Sequence, residues 1–392
     1  MIPQAVLYLA VPDDARAALL TVAGWPVAFR ALMAAVRAGA TRVGLPASFR
    51  GTALERAIAG VPAARAAAVW LEAGSEAPAE PALLVPAAAL APATAMRELL
   101  DGPVPAVLTE SAGSDAPVVA ASGALVRSLW GRLAAGEPVG AVLGDALGAG
   151  GVADRAAAGW YVRVATPAAA VAAEARLYTQ LGSPLDTRLD TALHRRLSRL
   201  VTRGAVAAGL TPNVVTGASL LVGVIAAWCF WRGSPASALA GFGLYAASTV
   251  LDHADGEVAR LTLTESALGE WLDIVADTLV HALIVLALGL TVERLVGGGG
   301  AVLGTVAAVG VGAGAALAKI SPPPASAAGV VLHGLSNRNG FYAMLAGFIL
   351  ALAWLPAALP ALMLVVAVGM HAFWLGHVVY RVARRRPESA AG

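Results

Sequence analysis

The apolar pattern changes character near the middle of the chain. Up to about residue 180, apolar residues come in short segments cut by Pro, Gly and charges, whereas residues 213–380 hold long apolar runs. In the first half, Ala5–Val11, Arg42–Leu45, Ala67–Leu71, Ala82–Val85, Ala106–Thr109, Val118–Ala121 and Trp160–Val164 read as strands, because short apolar runs between turn residues suit buried strands. Pro26–Arg37 has helical spacing in Val27, Leu32, Met33 and Val36, and Gly39 is placed to end it. Ala168–Gln180 reads as a closing helix. Strands alternating with helices predict an α/β domain with a mostly parallel sheet over residues 1–182.

The second half predicts six membrane-spanning helices near 213–232, 235–252, 273–291, 299–318, 339–355 and 359–380. Pro356 and Pro360 mark the turn before the last. Arg195, Arg196, Arg199 and Arg203 precede the first run, Arg260 follows the second, Lys319 and Arg338 flank the connection between the fourth and fifth, and Arg381, Arg384, Arg385 and Arg386 follow the sixth. Only Arg232 and Arg294 fall on the other side. Positive charge marks the cytoplasmic face, so both termini are expected there. The helical domain is expected over residues 209–386. Ahead of it, residues 183–208 place Leu189, Leu193, Leu197 and Leu200 on one helical stripe with arginines on other faces. That pattern suits an amphipathic helix on the membrane surface, or a basic stop signal that sets topology.

Composition narrows the function classes. The chain has 392 residues, 58% hydrophobic and 13% charged, against about 45–50% and about 25% in an ordinary soluble domain. A disordered chain is excluded, and a purely soluble enzyme is disfavoured. A net charge of +2 gives no basic field for nucleic acid. Cys229 is the sole cysteine, so one chain can form neither a disulfide nor a Cys-based metal site. Met1–Asp14 lacks the basic flank and long apolar core of a secretory signal, so the first half is expected in the cytoplasm.

The chemistry concentrates in Leu251–Asp277. Asp252 and Asp255 are three residues apart, Asp273 and Asp277 four apart, and Gly269 precedes Asp273 by four; each set can share a helix face. Acidic groups beside a hydrocarbon region are costly and usually functional. Converging carboxylates repel, and divalent cations remove that conflict; oxygen-only donors favour Mg²⁺, or a similar hard ion such as Mn²⁺, over Zn²⁺. Two such ions could clamp a pyrophosphate. Gly256 and Gly269 would let a nucleotide approach the backbone, and Arg260 would supply a donor to phosphate oxygens. Glu257, Glu265 and Glu270 are expected to be solvated or interfacial, and His253 to face away from the metals. His281, His371 and His377 are expected in core or interfacial roles. A transporter with an intramembrane cation site is the reading from a different class.

The spacing D-x2-D-G-x2-A-R-x8-G-x3-D-x3-D, met by Asp252, Asp255, Gly256, Ala259, Arg260, Gly269, Asp273 and Asp277, resembles the signature of the CDP-alcohol phosphotransferase (CDP-alcohol phosphatidyltransferase) family. The stretch Leu210–Thr216 resembles that family's approach to its first span. The resemblance implies a multi-pass enzyme of the cell membrane that moves the phosphoryl-alcohol part of a CDP-alcohol to an acceptor hydroxyl and releases CMP. It implies that Asp252, Asp255, Asp273 and Asp277 hold two metal ions and that Asp277 is the general base. It implies that Asp252, Asp255, Gly256, Ala259, Arg260, Gly269 and Asp273 face the nucleotide, and that the protein is a homodimer. Lys319 and Arg338 are candidates to bind an anionic acceptor such as inositol phosphate or another polyol phosphate. A phospholipid synthase using CDP-diacylglycerol is the alternative within the family.

Residues 5–46 resemble the opening of a sugar-phosphate nucleotidyltransferase, a Rossmann-like fold. That family's glycine-rich loop with its Arg and Lys is replaced here by Val11-Pro12-Asp13-Asp14-Ala15-Arg16, without glycine, and Lys319 is the only lysine in the chain. The backbone cradle for a triphosphate is therefore missing. The domain is expected to be a degenerate nucleotidyltransferase, in a layout similar to that of the inositol-phosphate-phosphate synthases.

Overall fold

The computed structural model describes residues 4–72, 74–75, 77–112, 114–149, 153–155, 160–182, 190–320 and 338–385. Leu189, the connection between Lys319 and Arg338, and Arg386 lie outside the described residues, as do the side chains of His377, Arg381, Arg384 and Arg385. The chain forms two compact units, Met1–Gln180 and Leu181–Gly392.

The first unit is built on a seven-stranded sheet. Its strands are β1 (Gln4–Tyr8), β2 (Arg42–Pro46), β3 (Ala68–Leu71), β4 (Ala82–Pro86), β5 (Ala106–Leu108), β6 (Val119–Ala121) and β7 (Ala153–Arg155), in the order β7-β5-β6-β4-β1-β2-β3. β1 pairs in parallel with β4 from Gln4 opposite Ala82 to Tyr8 opposite Pro86. β4 is buried along its whole length, as expected of a strand covered on both faces. The sheet is mixed, because β6 runs antiparallel to both β4 and β5. Trp160–Val164 does not join it: only Val162–Arg163 are extended, and they pair with Ala89–Leu90 in a separate ribbon. Helix α1 (Val27–Ala38) buries Val27, Phe29 and Leu32 and ends at Gly39, whose φ of 115° needs a residue without Cβ. Arg30 on this helix donates to Val22 O at 2.7 Å and Ala23 O at 2.8 Å, and burial pulls its pKa down to about 10. Helices α2 (Gly123–Ala135) and α3 (Pro167–Thr179) follow.

The loop after β1 is closed from within. Asp14 Oδ2 accepts from the backbone N–H groups of Ala10 at 2.7 Å and Val11 at 3.3 Å, and Oδ1 accepts from Arg163 Nη2 at 2.5 Å. The loop amides thus point at a carboxylate of the same chain.

The second unit is helical. Among the described residues it includes α4 (Arg195–Ala207), α5 (Pro212–Arg232), α6 (Pro235–Thr262), α7 (Ala267–Leu295), α8 (Gly300–Ile320), α9 (Arg338–Trp354) and α10 (Leu359–Arg385). Among the described residues, four helical segments are long and apolar enough to cross a membrane: Pro212–Arg232, Ala267–Leu295, Gly300–Ile320 and Pro356–Gly376. The other two expected spans form helices that differ from those four. α6 carries Asp252, Asp255, Glu257 and Arg260 in its last turns, and α9 has 17 residues. Leu221, Leu239, Val302 and Val365 are exposed on these helices, as suits surfaces that face lipid.

Lipid gives helices no hydrophobic reason to associate, so close packing over small residues carries the bundle. A Cβ on Gly289 would lie 2.5 Å from Gly304 Cα, and one on Gly223 would lie 2.4 Å from Val280 Cγ2. At the C-terminal ends of α5 and α7, Arg232 stacks on Trp228 at 5.8 Å and Arg294 on Trp231 at 5.3 Å. Arg260 lies at the opposite end of α6, within its last turn.

Candidate active site

The acidic segment spans two helices and a tight connection. α6 ends at Leu263, which adopts the left-handed conformation with φ 58° and donates its N–H to Ala259 O. Ser266 then caps α7, its Oγ accepting from Gly269 N at 3.0 Å. Helical spacing keeps Asp252 and Asp255 on one face of α6, and Gly269, Asp273 and Asp277 on one face of α7.

The four carboxylates lie close enough to act on one another through space. Asp277, Asp273 and Asp255 all act on Asp252 through space. Asp255 is 3% exposed. Its Oδ2 accepts from Thr216 Oγ1 of α5 at 2.6 Å, and its Oδ1 accepts from Gly256 N. Asp252 Oδ2 accepts from Arg338 Nη2 at 3.0 Å. The Asp277 side chain is 42% exposed against 16% for Asp252, and His281 Nδ1 lies 3.3 Å from its Oδ1 and 2.7 Å from its carbonyl oxygen. Tyr245 holds the other side of that ring, Oη to Nε2 at 2.9 Å.

A cleft of about 830 Å³ opens beside them. Asp255, Gly256, Ala259, Arg260, Gly269 and Asp273 line it, together with Asn213 and Thr216; Asp252 and Asp277 are not part of its wall. A Cβ on Gly256 would come within 3.2 Å of Arg260 Nη1, and one on Gly269 within 3.1 Å of Ser266 Oγ. Both glycines therefore keep the cleft floor clear of side chains.

The donor set suits a hard cation. Two guanidinium groups, Arg338 and Arg260, act on these four carboxylates, which leaves an excess of negative charge. Aspartate oxygens alone, without sulfur, match divalent cations of the Mg²⁺ type.

Residues 209–380 match the family model of CDP-alcohol phosphatidyltransferases. This part of the chain is a CDP-alcohol phosphatidyltransferase domain. The family's activity is CDP-alcohol phosphotransfer, its substrates are a CDP-alcohol and an alcohol, and it uses divalent metals. The chain is accordingly a transferase with membrane-spanning helices. No curated protein matches it.

Within the transferase domain, Lys319 and Arg338 have separate partners. Lys319 at the end of α8 pairs with Glu270 and lies 5.5 Å from the Trp271 ring. Arg338 pairs with Asp252, and its Nη1 lies 2.9 Å from His253 Nε2 and 3.7 Å from Asp190 Oδ1. Glu270 lines the cleft, so Lys319 is tied to the cleft rim while Arg338 is tied to the carboxylates.

One sequence expectation needs correction. Glu257 is neither solvated nor interfacial: it is 0% exposed and paired with Arg195 at 2.8 Å. Its partners lie on α4, remote in sequence, so its neighbours along the chain gave no sign of burial. His253 turns to Asp190 and Arg338. Its Nε2 is 3.1 Å from Asp190 Oδ1, which also meets His194 Nδ1 at 2.8 Å, and ligand atoms of these three residues lie within 4.8 Å of one another. The Arg338 guanidinium sits against two of them, so the trio holds that arginine in place. Glu265 and Glu270 are exposed. His371 on α10 is tied to α8, Nε2 to Val306 O at 2.9 Å. Thr216 was missed by sequence reading, although it lies in the Leu210–Thr216 stretch.

Proposed function

We propose that the transferase domain is a six-span enzyme in which Asp252, Asp255, Asp273 and Asp277 hold two Mg²⁺ ions and Asp277 is the general base. The observation that carries this is the facing of four carboxylates from adjacent helices beside a cleft lined by Gly256, Ala259, Arg260 and Gly269. The cytidine end of the donor fits against those glycines, whose bare backbone admits a flat ring. Arg260 binds a phosphate oxygen. Asp252, Asp255, Asp273 and Asp277 would hold the cations, which would supply positive charge to offset the pyrophosphate and the departing group. Asp277 accepts the proton of the acceptor hydroxyl. The acceptor oxygen bonds to the phosphorus that carries the alcohol, the bond from that phosphorus to the bridging oxygen breaks, and CMP leaves with the electron pair. Holding both substrates in line supplies much of the rate.

In this reading α6 and α9 complete the six spans. The lower apolar length of α6 is explained by the carboxylates that it carries to the cytoplasmic side. Residues 183–208 form the interfacial segment, 209–386 the catalytic domain, and 1–182 a degenerate nucleotidyltransferase-like domain with no turnover of its own. Both termini face the cytoplasm, and the protein forms a homodimer. Lys319 and Arg338 bind a phosphorylated acceptor such as a polyol phosphate, which must compete with Glu270 and Asp252 for them. The deciding experiment is CMP release by purified protein over a panel of CDP-alcohols and acceptors, run alongside Asp277→Asn. Release that persists in the variant removes the base assignment; no release from any pair removes the enzyme reading. Incubating the full chain with CTP and alcohol phosphates tests the first domain, and pyrophosphate release would show it active.

A further inference from the structure

Glu257 is wholly buried in the stretch of α6 that floors the cleft, yet it is not part of the cleft wall. Its oxygens accept three hydrogen bonds, all from α4: Arg195 Nη1 at 2.8 Å and Ser198 Oγ at 2.8 Å on Oε1, and Thr202 Oγ1 at 2.7 Å on Oε2. Positions 195, 198 and 202 recur at helical spacing and so share one face of α4. Leu193, Leu197 and Leu200 point away from it and are exposed. Elsewhere on α6, Thr216 of α5 grips Asp255 at 2.6 Å. The turn that carries Asp255 is therefore held from two helices, once directly and once through a residue that does not reach the cleft.

Stability is a weak reason for this arrangement. Desolvating an ion pair costs about what the pair returns, and apolar replacements of similar volume are often as stable or more so. What three convergent donors do supply is direction. They fix the rotation and height of α6 against α4, and with them the aim of the carboxylates on α6.

We propose that Glu257 is a positioning residue: it registers α6 against α4 so that Asp252 and Asp255 meet Asp273 and Asp277 in the arrangement that binds cations. This rests on the reading of those aspartates as cation ligands. Partners that orient a metal-binding group typically carry about 10- to 100-fold in affinity or activity.

The test uses the full chain with Glu257→Gln, which keeps volume and removes the charge. Mn²⁺ titration followed by electron paramagnetic resonance, CMP release, and thermal unfolding without metal are measured on the same preparation. The expected result is a Mn²⁺ Kd raised about 10-fold or more, kcat lowered by a similar factor, and donor KM changed far less. A lowered Tm with Mn²⁺ Kd and kcat at wild-type values would make Glu257 merely structural and overturn the proposal. Should that variant fail to fold, Ser198→Ala with Thr202→Val loosens the same grip while keeping the charge pair, and the same criteria apply. Wild-type protein that binds Mn²⁺ but releases no CMP would sink the proposed reaction, while the variant's Mn²⁺ affinity would still decide the role of Glu257. Wild-type protein that binds no Mn²⁺ would overturn both.

Discussion

Asp14 in the first unit and Asp255 in the second are both nearly sealed from solvent, at 1% and 3% exposure. Around Asp14, two backbone N–H groups and Arg163 take up the carboxylate oxygens. Around Asp255, Thr216 and its own helix supply donors, but Asp273 acts on it from the facing helix. The first is a negative charge matched by its surroundings, and it fastens a loop. The second belongs to a group with more acid than base, and that surplus is what the proposed cations would neutralise. Burial of an aspartate is common to both; charge balance separates them.

Four experiments press on that contrast, taken from the largest effect down. Removing divalent cations with a chelator should abolish CMP release, and Mg²⁺ should restore it; the fold of the first unit, followed by its circular dichroism, should not change. Asp277→Asn should lower kcat by about 10²- to 10⁴-fold, the range for loss of a general base, with donor binding by calorimetry partly retained. Arg163→Met leaves Asp14 without its charged partner and should destabilise the first unit by about 3 kcal/mol, read as a fall in Tm, with CMP release unchanged below the new transition. Tyr161 gives the smallest effect. It donates to Ala116 O, and burial first of all raises its pKa to about 12. The unfolded phenol ionises near its ordinary value of about 10. Between those values the unfolded state holds fewer protons, so stability is fully present below about pH 10 and is lost as pH climbs toward 12. The Tm advantage of wild type over Tyr161→Phe should shrink across that window, and a constant advantage would refute the assignment.

The sequence made some of this legible and hid the rest for physical reasons. β4 was readable because a continuous apolar run such as Ala82–Val85 suits a strand with no wet face. β7 was not, since Ala-Asp-Arg at a sheet edge has no apolar pattern to show. The facing aspartates were readable because helical spacing fixes which side chains share a face. Glu257 was misread because its fate depends on Arg195, Ser198 and Thr202, between 55 and 62 residues upstream. The signal existed as a polar stripe opposite the α4 leucines, but a stripe does not name its partner. Arg338 was readable as a positive charge on the cytoplasmic side of the fifth span; its pairing with Asp252, 86 residues earlier, needed the folded bundle.

The crossing of α7 and α8 at Gly289 and Gly304 has a reach beyond its own location. Two main chains touch there with nothing between them, and the same two helices are tied again where Lys319 meets Glu270 at the cleft rim. The pair is therefore joined like a single plank fastened at two points. A lone methyl group added at either glycine would act as a wedge, and its displacement would be delivered along the plank to the rim of the cleft.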